Sequence, residues 1–239
     1  MNRKLSKRLS ACLDALSSLS RIADIGTDHA YLPCYGILAG IIDSAIATDI
    51  IDGPLIQAKR TIAHYGLTDK IELRKGSGLE PLEIGEAEGV IIAGMGGKLI
   101  SQLLEESRDI AQSMKLLVFA PQGGEALLRG YIMRHGFIIR DERLLEEGGI
   151  IYTIIIVEPT VMSFSGDIDG MICDEIFGSI LRRRDVKKEL FIKKWNQEIA
   201  KIDKILKNIP VGNKRIAELE REKNLIKDVL SGDSNPRYY

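Results

Sequence analysis

Short segments that are almost entirely apolar alternate with longer segments of helical character through the first 160 residues. Strands that are buried on both faces appear as continuous apolar runs, whereas surface helices keep one polar face. The alternation therefore predicts βαβ units and a doubly wound parallel sheet. The predicted strands cover residues 21–25, 44–48, 70–74, 89–93 and 116–119, and the predicted helices lie near 30–41, 53–65, 97–111 and 123–135.

The pattern changes after the fifth predicted strand, where two strand-like segments follow each other closely. Residues 137–145 and 150–158 are separated only by Glu-Glu-Gly-Gly, which is too short for a crossover helix, so we expect an antiparallel hairpin. Five parallel strands followed by a hairpin are typical of the Rossmann-like class I methyltransferases, whereas NAD-binding Rossmann domains end in another parallel unit. Residues 1–160 are thus expected to form an α/β domain with a mostly parallel seven-stranded sheet.

Helical periodicity dominates after residue 160. Apolar residues recur there at alternating intervals of three and four, the spacing of a coiled-coil seam. A Pro-Val-Gly-Asn segment at 210–213 interrupts the pattern, and a second helix is predicted at about 214–230. Residues 161–239 are therefore expected to form an antiparallel α-helical coiled-coil hairpin. The seam consists of Ile192, Trp195, Ile199, Ile202, Leu206 and Ile209.

The charges of the chain almost cancel, but they are unevenly distributed. With 33 basic and 34 acidic residues, the net charge of −1 excludes a uniformly basic nucleic-acid binder. Residues 1–160 contain 17 basic and 21 acidic side chains, whereas residues 161–239 contain 16 and 13. A basic face on the helical region is compatible with an RNA partner. The alternative interpretation of its basic runs is a solvated helix face.

Cysteine and histidine positions indicate neither a disulfide framework nor a metal site. Cys12, Cys34 and Cys173 form no Cys-x-x-Cys pair, and the three histidines are far apart in the sequence. The first ten residues lack the apolar region of a signal peptide, and no apolar run reaches the roughly 18 residues of a membrane span. We therefore expect a cytoplasmic protein without a metal ion or a membrane partner.

The loop after the first predicted strand contains the side chains that best distinguish between cofactors. The sequence Asp24-Ile25-Gly26-Thr27-Asp28 places a glycine at the turn from strand to helix but lacks the Gly-x-Gly-x-x-Gly pattern of dinucleotide sites. Asp28 would repel a pyrophosphate, whereas S-adenosylmethionine (SAM) carries an ammonium and a sulfonium group. Asp24, Gly26, Thr27 and Asp28 are therefore predicted to bind SAM. The alternative role of Asp28 is that of a helix N-cap.

Three further loops extend this predicted cofactor site. An aspartate ends the second strand, 25 residues after Asp24, where a carboxylate can accept hydrogen bonds from both ribose hydroxyls. The glycine-rich loops after the third and fourth strands allow close approach of a ligand, and the former flanks the adenine ring in SAM-binding folds. The residues predicted in these loops are Asp49, then Gly76, Ser77 and Gly78, then Ala93, Gly94, Met95 and Gly96.

Several short segments together resemble the bacterial TrmK family. They are residues 5–9, 23–33, 52–54, 74–79 and 91–97. The resemblance extends from residue 3 to about residue 158, and the helical tail is also similar. It implies SAM-dependent methylation of N1 of adenine 22 in tRNA. One departure is that the family tends to carry Gln-Pro-Asn after the fifth strand, whereas residues 120–122 here are Ala-Pro-Gln; Gln122 can offer a similar amide.

The resemblance also implies catalytic roles in the loop after the first strand. Adenine N1 can attack a sulfonium methyl group with its in-plane lone pair, so orientation and electrostatics are the main tasks of the enzyme. The family motif places Asp28 nearest the methyl group of SAM, where a carboxylate can stabilise the developing positive charge or accept a proton from N6. His29 and Tyr31 are the next candidates, as positioning groups, and Tyr31 can stack on the base.

A tRNA substrate would require cations that contact phosphates. The predicted RNA-binding residues are Arg3, Lys4, Lys7, Arg8, Arg182, Arg183, Arg184, Lys187, Lys188, Lys193 and Lys194.

Three alternatives remain open on the sequence: a methyltransferase of another RNA or of a small molecule, a non-catalytic RNA-binding protein, and, more distantly, an NAD oxidoreductase. The short turn at Pro210 favours pairing of the helices within one chain, so a monomer is expected.

Overall fold

The structure, a computed structural model, describes residues 5–160, 168–183, 188–210 and 212–232. The chain forms two compact units, residues 1–164 and residues 165–239. The first unit contains a sheet with its covering helices, and the described part of the second unit is helical.

The first unit contains a seven-stranded sheet. Its strands are β1 (Arg21–Ile25), β2 (Ser44–Asp49), β3 (Ile71–Lys75), β4 (Gly89–Ala93), β5 (Leu116–Ala120), β6 (Phe137–Glu147) and β7 (Ile150–Pro159). Their spatial order is β3-β2-β1-β4-β5-β7-β6, with β1 to β5 parallel. The last strand, β7, inserts antiparallel between β5 and β6. The predicted Rossmann-like methyltransferase sheet with its terminal hairpin is confirmed.

Helices cover both faces of this sheet. They are α1 (Lys7–Ala15), α2 (Tyr31–Leu38), α3 (Asp52–His64), α4 (Gly97–Glu106), α5 (Arg108–Ser113) and α6 (Glu125–Arg134). The single helix predicted at 97–111 is wrong, because Ser107, with φ −127° and ψ 45°, separates α4 from α5. The sequence interpretation also missed α1, which begins after Ser6; the Oγ of Ser6 accepts the Leu9 N–H at 3.2 Å.

The continuous apolar runs of the strands reflect two cores, one on each face of the sheet. In β4, Ile91 belongs to the cluster that includes Leu13 of α1, whereas Val90 and Ile92 belong to the cluster that includes Ile100 of α4. All five side chains are fully buried. A strand placed between two helical layers therefore has no solvent-facing position, which explains why its sequence does not alternate.

The described helices of the second unit are α7 (Ile168–Phe177), α8 (Ser179–Arg183), α9 (Lys188–Asn208) and α10 (Arg215–Ser231). Trp195 is 8% exposed, and its ring centroid lies 4.5 Å from that of Phe177 and 6.2 Å from that of Phe191. Ile202 of α9 and Ile226 of α10 are also buried. Trp195 thus packs in an aromatic cluster of the helical unit.

Candidate functional site

The strand order reverses between β1 and β4, and this position creates a crevice at the carboxyl ends of the strands. The loops after β1 and β4 turn in opposite directions there, since β1 continues the sheet towards β2 and β4 continues it towards β5. A cavity of about 300 Å³ opens at this point. It is lined by Arg8, Leu9, Asp24, Gly26, Thr27, Asp28, His29, Tyr31, Leu32, Ala93 and Gly94.

Asp24 is the buried acidic group of this cavity. Only 6% of the residue is exposed, and Oδ2 accepts a hydrogen bond from Thr27 Oγ1 at 2.6 Å. Burial raises the pKa of the Asp24 carboxyl to about 6, against the opposing effect of the Thr27 hydrogen bond. The loop is tied to β2, because Gly26 N–H and Thr27 N–H both donate to the Thr48 carbonyl at 2.9 Å. A carboxylate held in this way suits a cationic group of a ligand.

Asp28 lies in a strained segment between Thr27 and α2. Asp28 and Ala30 have φ values of 50° and 56°, in the left-handed region that residues other than glycine rarely adopt. The Asp28 side chain is 74% exposed, and its Oδ1 lies 3.4 Å from His29 Nε2. The N-cap of α2 is Ala30, and no side chain caps the helix, so the N-cap interpretation of Asp28 is wrong. The strain instead directs a carboxylate into the cavity opening.

Aromatic rings line the same opening. The rings of His29 and Tyr31 have centroids 5.4 Å apart and an interplanar angle of 37°. Both residues are half-buried; His29 follows Asp28 directly in the chain, and Tyr31 lies two residues further on. The three predicted catalytic residues therefore lie together at one wall of the cavity.

Two features require a glycine at position 26: its backbone conformation and the close approach of the Met95 side chain. Its φ is 72°, and a Cβ built on it would lie 2.5 Å from Met95 Cε. Met95 thus packs across the loop after β1 and does not line the cavity. Gly94 has φ 82°, and a Cβ built there would lie 3.9 Å from Gln122 Nε2 and 4.0 Å from Arg8 Nη1, so the backbone conformation and not crowding favours glycine at this cavity wall.

The predicted adenosine-binding residues lie outside the cavity lining, on adjoining loops. Asp49 Oδ1 accepts the Ile51 N–H at 2.9 Å, and the Gly76 N–H donates to the Asp49 carbonyl at 3.1 Å. Gly76 and Gly78 also have packing reasons to be glycine: added Cβ atoms would lie 2.3 Å from Pro81 Cγ and 2.7 Å from Leu103 Cδ2. Ser77 is half-buried between them, and Gly96 is exposed before α4.

Arg8 is the cavity residue whose place the sequence interpretation missed. It is predicted above as an RNA contact, yet its side chain lines the cavity beside Asp24 and Gly94. The missed signal is helical periodicity in α1, which places Arg8 one turn before the buried Cys12, on the face that packs against the sheet.

The other predicted RNA-binding residues are spread over both units. Lys7 is exposed at the start of α1. In the second unit, Arg182 Nη2 lies 2.9 Å from Asp174 Oδ1, and Lys188 is exposed at the start of α9. Lys193 is exposed and Lys194 is half-exposed on α9, and Arg183 ends α8. Arg3, Lys4, Arg184 and Lys187 lie outside the described residues.

The described ranges contain neither a candidate metal site nor a candidate membrane span. No group of three or more histidine, cysteine, aspartate or glutamate side chains there is arranged to hold a metal ion. No helix in the described part of the chain combines the length and the apolar composition needed to span a bilayer.

Comparison with known proteins decides the family. The family model of TrmK, described as tRNA (adenine(22)-N(1))-methyltransferase, matches residues 22–231. The chain belongs to the TrmK family. A curated TrmK relative, the tRNA (adenine(22)-N(1))-methyltransferase of Bacillus subtilis, is 34% identical over 226 residues, which are 95% of this chain and 92% of the relative.

Solved structures of similar proteins include complexes with the cofactor and with its product. Sp1610 of Streptococcus pneumoniae in complex with S-adenosyl-L-methionine has a TM-score of 0.83 and 34% identity, covering 95% of this chain and 100% of that one. TrmK of M. capricolum in complex with S-adenosyl-homocysteine has a TM-score of 0.83 and 28% identity, covering 96% and 99%. As a member of the TrmK family, the chain is a SAM-dependent tRNA methyltransferase that acts on N1 of adenine 22.

Proposed function

We propose that the cavity at the carboxyl ends of β1 and β4 holds the methionine end of SAM. The observation that supports this is the pair of carboxylates at the end of β1 and in the loop after it, Asp24 buried and Asp28 exposed, since the ammonium and sulfonium groups of SAM are both cationic. Gly94 leaves the wall without a side chain at this point. The residues present therefore fit the cofactor.

The adenosine part of SAM is proposed to extend along the neighbouring loops. Asp49 would accept hydrogen bonds from the ribose hydroxyls, and the loop of Gly76, Ser77 and Gly78 would lie beside the adenine ring. The hydrogen bond from Gly76 N–H to the Asp49 carbonyl joins these two loops. This contact supports the proposal that they bind adenosine as one continuous surface. Ala93 and Gly94 would form the opposite wall of the cavity, and Met95 and Gly96 would adjoin it in the same loop.

Bound SAM supplies a methyl group that is activated by its positively charged sulfur. The chain itself has to place adenine N1 in line with that methyl group and to stabilise the charge that develops on the base. We assign the electrostatic role to Asp28, whose exposed carboxylate can also accept the N6 proton. His29 would hold this carboxylate, Tyr31 would pack on the base, and the amide of Gln122 would lie at the far side of Gly94.

We propose that the second unit, residues 161–239, is an antiparallel coiled-coil hairpin that contributes to tRNA binding. Support comes from the contact between Lys223 of α10 and Asp203 of α9, and from the position of Val229 near Phe191, which brings the end of α10 to the start of α9. The basic residues of this unit would contact phosphates. Because the seam pairs within the chain, a monomer is proposed, acting in the cytoplasm, where tRNA is modified.

Site mapping on an unmodified tRNA transcript tests the function. The full chain is incubated with SAM and a transcript that has adenine at position 22, or with a matched transcript that has guanine there. We expect one methyl group at N1 of adenine 22, found by mass mapping of nuclease fragments, and none on the matched transcript. Methylation at another nucleotide, or only of small acceptors, would contradict the proposal.

A further inference from the structure

Gln122 carries an exposed side-chain amide at the edge of the cavity wall formed by Gly94. Its Nε2 is the atom nearest to a Cβ built on Gly94, at 3.9 Å. No hydrogen bond joins this side-chain amide to another residue in the described part of the chain. A donor and an acceptor therefore stand beside the cavity opening and are available to a ligand.

Backbone hydrogen bonds hold Gln122 in this place, because they join the loop after β5 to the loop after β4. The Gly94 N–H donates to the Ala120 carbonyl at 3.1 Å. The N–H of Gln122 itself donates to the Met95 carbonyl at 2.9 Å, and the intervening Pro121 is buried. The amide is thus carried by backbone that is fixed before a ligand binds, which reduces the entropy lost on binding.

The methyl-transfer reaction decides which edge of the target adenine can meet this amide. N1 has to face the methyl group of SAM, so the edge that carries N1 is taken by the reaction. The neighbouring edge presents N7, an acceptor, and a hydrogen of the N6 amino group, a donor. A glutamine amide matches these two atoms with one donor and one acceptor, a pairing that recurs where glutamine recognises adenine.

We propose that Gln122 binds N6 and N7 of the target adenine, with Oε1 accepting from N6 and Nε2 donating to N7. The second hydrogen of N6 then points away from Gln122, towards Asp28, which lines the same cavity as Gly94. Guanine presents acceptors at both O6 and N7, so Gln122 contributes to specificity for adenine. This inference rests on the proposed place of SAM in the cavity.

A phosphate of the RNA and the cofactor itself are the other ligands that could meet this amide. A phosphate has only acceptors, so it would leave Oε1 without a donor. Gln122 also lies outside the lining of the cavity that is proposed to hold the methionine end of SAM. The base fits better than either, because it uses both halves of the amide, and the three ligands differ in what is lost when Gln122 is changed.

Methyl transfer to three tRNA transcripts tests the assignment on the full-length protein. Position 22 carries adenine, 7-deaza-adenine, which lacks the N7 acceptor, or purine, which lacks the N6 amino group. The proteins are the unchanged chain, Gln122→Met, Gln122→Glu and Gln102→Met, the last a matched control because Gln102 is exposed on α4 outside the cavity lining. Calorimetry measures SAM affinity, and circular dichroism establishes that each variant is folded.

Each analogue also changes the reactivity of the base, but it does so equally for all four proteins. Only the ratio between proteins therefore reports on Gln122. We expect kcat/KM to fall with each analogue by about 3- to 10-fold more in the unchanged chain than in Gln122→Met, the range for one hydrogen bond. Gln122→Glu keeps an acceptor for N6 but has no donor for N7, so it should retain only the penalty for purine. Gln102→Met should behave as the unchanged chain does, and SAM affinity should be the same in all four.

Two results would overturn the proposal. An equal loss of rate by Gln122→Met on all three transcripts would indicate a phosphate contact or a structural role, and weakened SAM binding would indicate a contact with the cofactor. The proposed place of SAM is tested separately by Asp24→Asn. Normal SAM affinity of that variant at pH 7 would refute the placement, whereas equal ratios with Gln122→Met would refute only the contact with adenine.

Discussion

The two units of the molecule use charged side chains in different ways. In the first unit, several charges are buried and held by specific contacts: Asp24 is 6% exposed, and the side chains of Arg129 and Glu142 are 2% and 0% exposed. In the second unit, the pair of Arg182 and Asp174 is less completely buried, at 17% and 12% exposure, and the pair of Lys201 and Glu198 is 68% and 35% exposed. Buried charges fix positions, whereas exposed charges are screened and act collectively. The first arrangement suits a small ligand and the second suits a polyanion.

The largest expected effect concerns the exposed carboxylate of the cavity. Asp28→Ala should reduce methyl transfer by about 100-fold or more, the scale of a positioned acid–base or charge-stabilising group. SAM affinity should fall far less, because the Asp28 carboxylate is exposed and the buried Asp24 remains. Single-turnover rates with tRNA and calorimetry with SAM measure the two quantities. Asp14→Ala, which removes an exposed carboxylate of α1, outside the cavity lining, is the control. A loss of SAM affinity equal to the loss of rate would make Asp28 only a cofactor ligand.

Measurements of stability should distinguish the buried pair of Arg129 and Glu142 from the partly exposed pair of Lys223 and Asp203. Arg129 Nε lies 2.7 Å from Glu142 Oε1, so Arg129→Met leaves a buried carboxylate without this cation and should cost about 3–5 kcal/mol. Lys223→Met, which removes the partner of Asp203 between α9 and α10, should cost clearly less.

Two spectroscopic probes separate the units in this experiment. Trp195, the single tryptophan of the chain, lies in the second unit, so its fluorescence follows that unit, whereas circular dichroism follows both. In denaturant, Arg129→Met should shift the circular dichroism transition of the first unit. Equal destabilisation by the two substitutions would show that burial does not distinguish these pairs.

The pH dependence of SAM binding should reveal the buried Asp24. Its folded-state pKa is raised from 3.8 to about 6 by burial, so the native state takes up a proton that the unfolded chain does not hold between about pH 6 and 4. This carboxyl therefore favours the free folded state increasingly as the pH falls through that window. Binding of the SAM ammonium needs the ionised form, so SAM affinity should fall by up to about tenfold per pH unit below pH 6.

Asp24→Asn provides the control for this pH dependence. The amide does not titrate, so the variant should bind SAM more weakly at pH 7 and with a much flatter profile between pH 5 and 7. Calorimetry across that range measures both. A profile that is identical in the two proteins would assign the titration to another group.

The smallest effect per residue is expected for tRNA binding when surface cations of the second unit are replaced. Replacement of Lys188, Lys193 and Lys194 by glutamine should lower the slope of log K for tRNA against log salt concentration by about 2–3, and leave SAM affinity unchanged. The same replacement of Lys59, Arg60 and Lys70, exposed on the first unit, is the matched control. Equal changes in slope for both triple variants would mean that tRNA binding does not depend on the charge asymmetry.

Prediction from the sequence succeeded for elements whose burial produces a recognisable pattern within a few consecutive residues. The five parallel strands and the hairpin follow from apolar runs and from the four residues between 145 and 150, and the structure confirms them. Prediction failed at α1 and at the division between α4 and α5, because a short amphipathic helix before the first strand and a single non-helical Ser107 change the periodicity little. The predicted roles of the site residues stay predictions.

The sequence by itself determined the layered sheet, the acidic loop of Asp24 and Asp28, and, with its family resemblance, the methyl-transfer reaction. Only the tertiary structure decided that Arg8 lines the cavity beside Asp24, since this depends on contacts with Glu147 and Tyr152, far along the chain. The physical reason is that periodicity records which face of an element is buried, whereas the partner of a buried charge depends on the order in which distant strands pair.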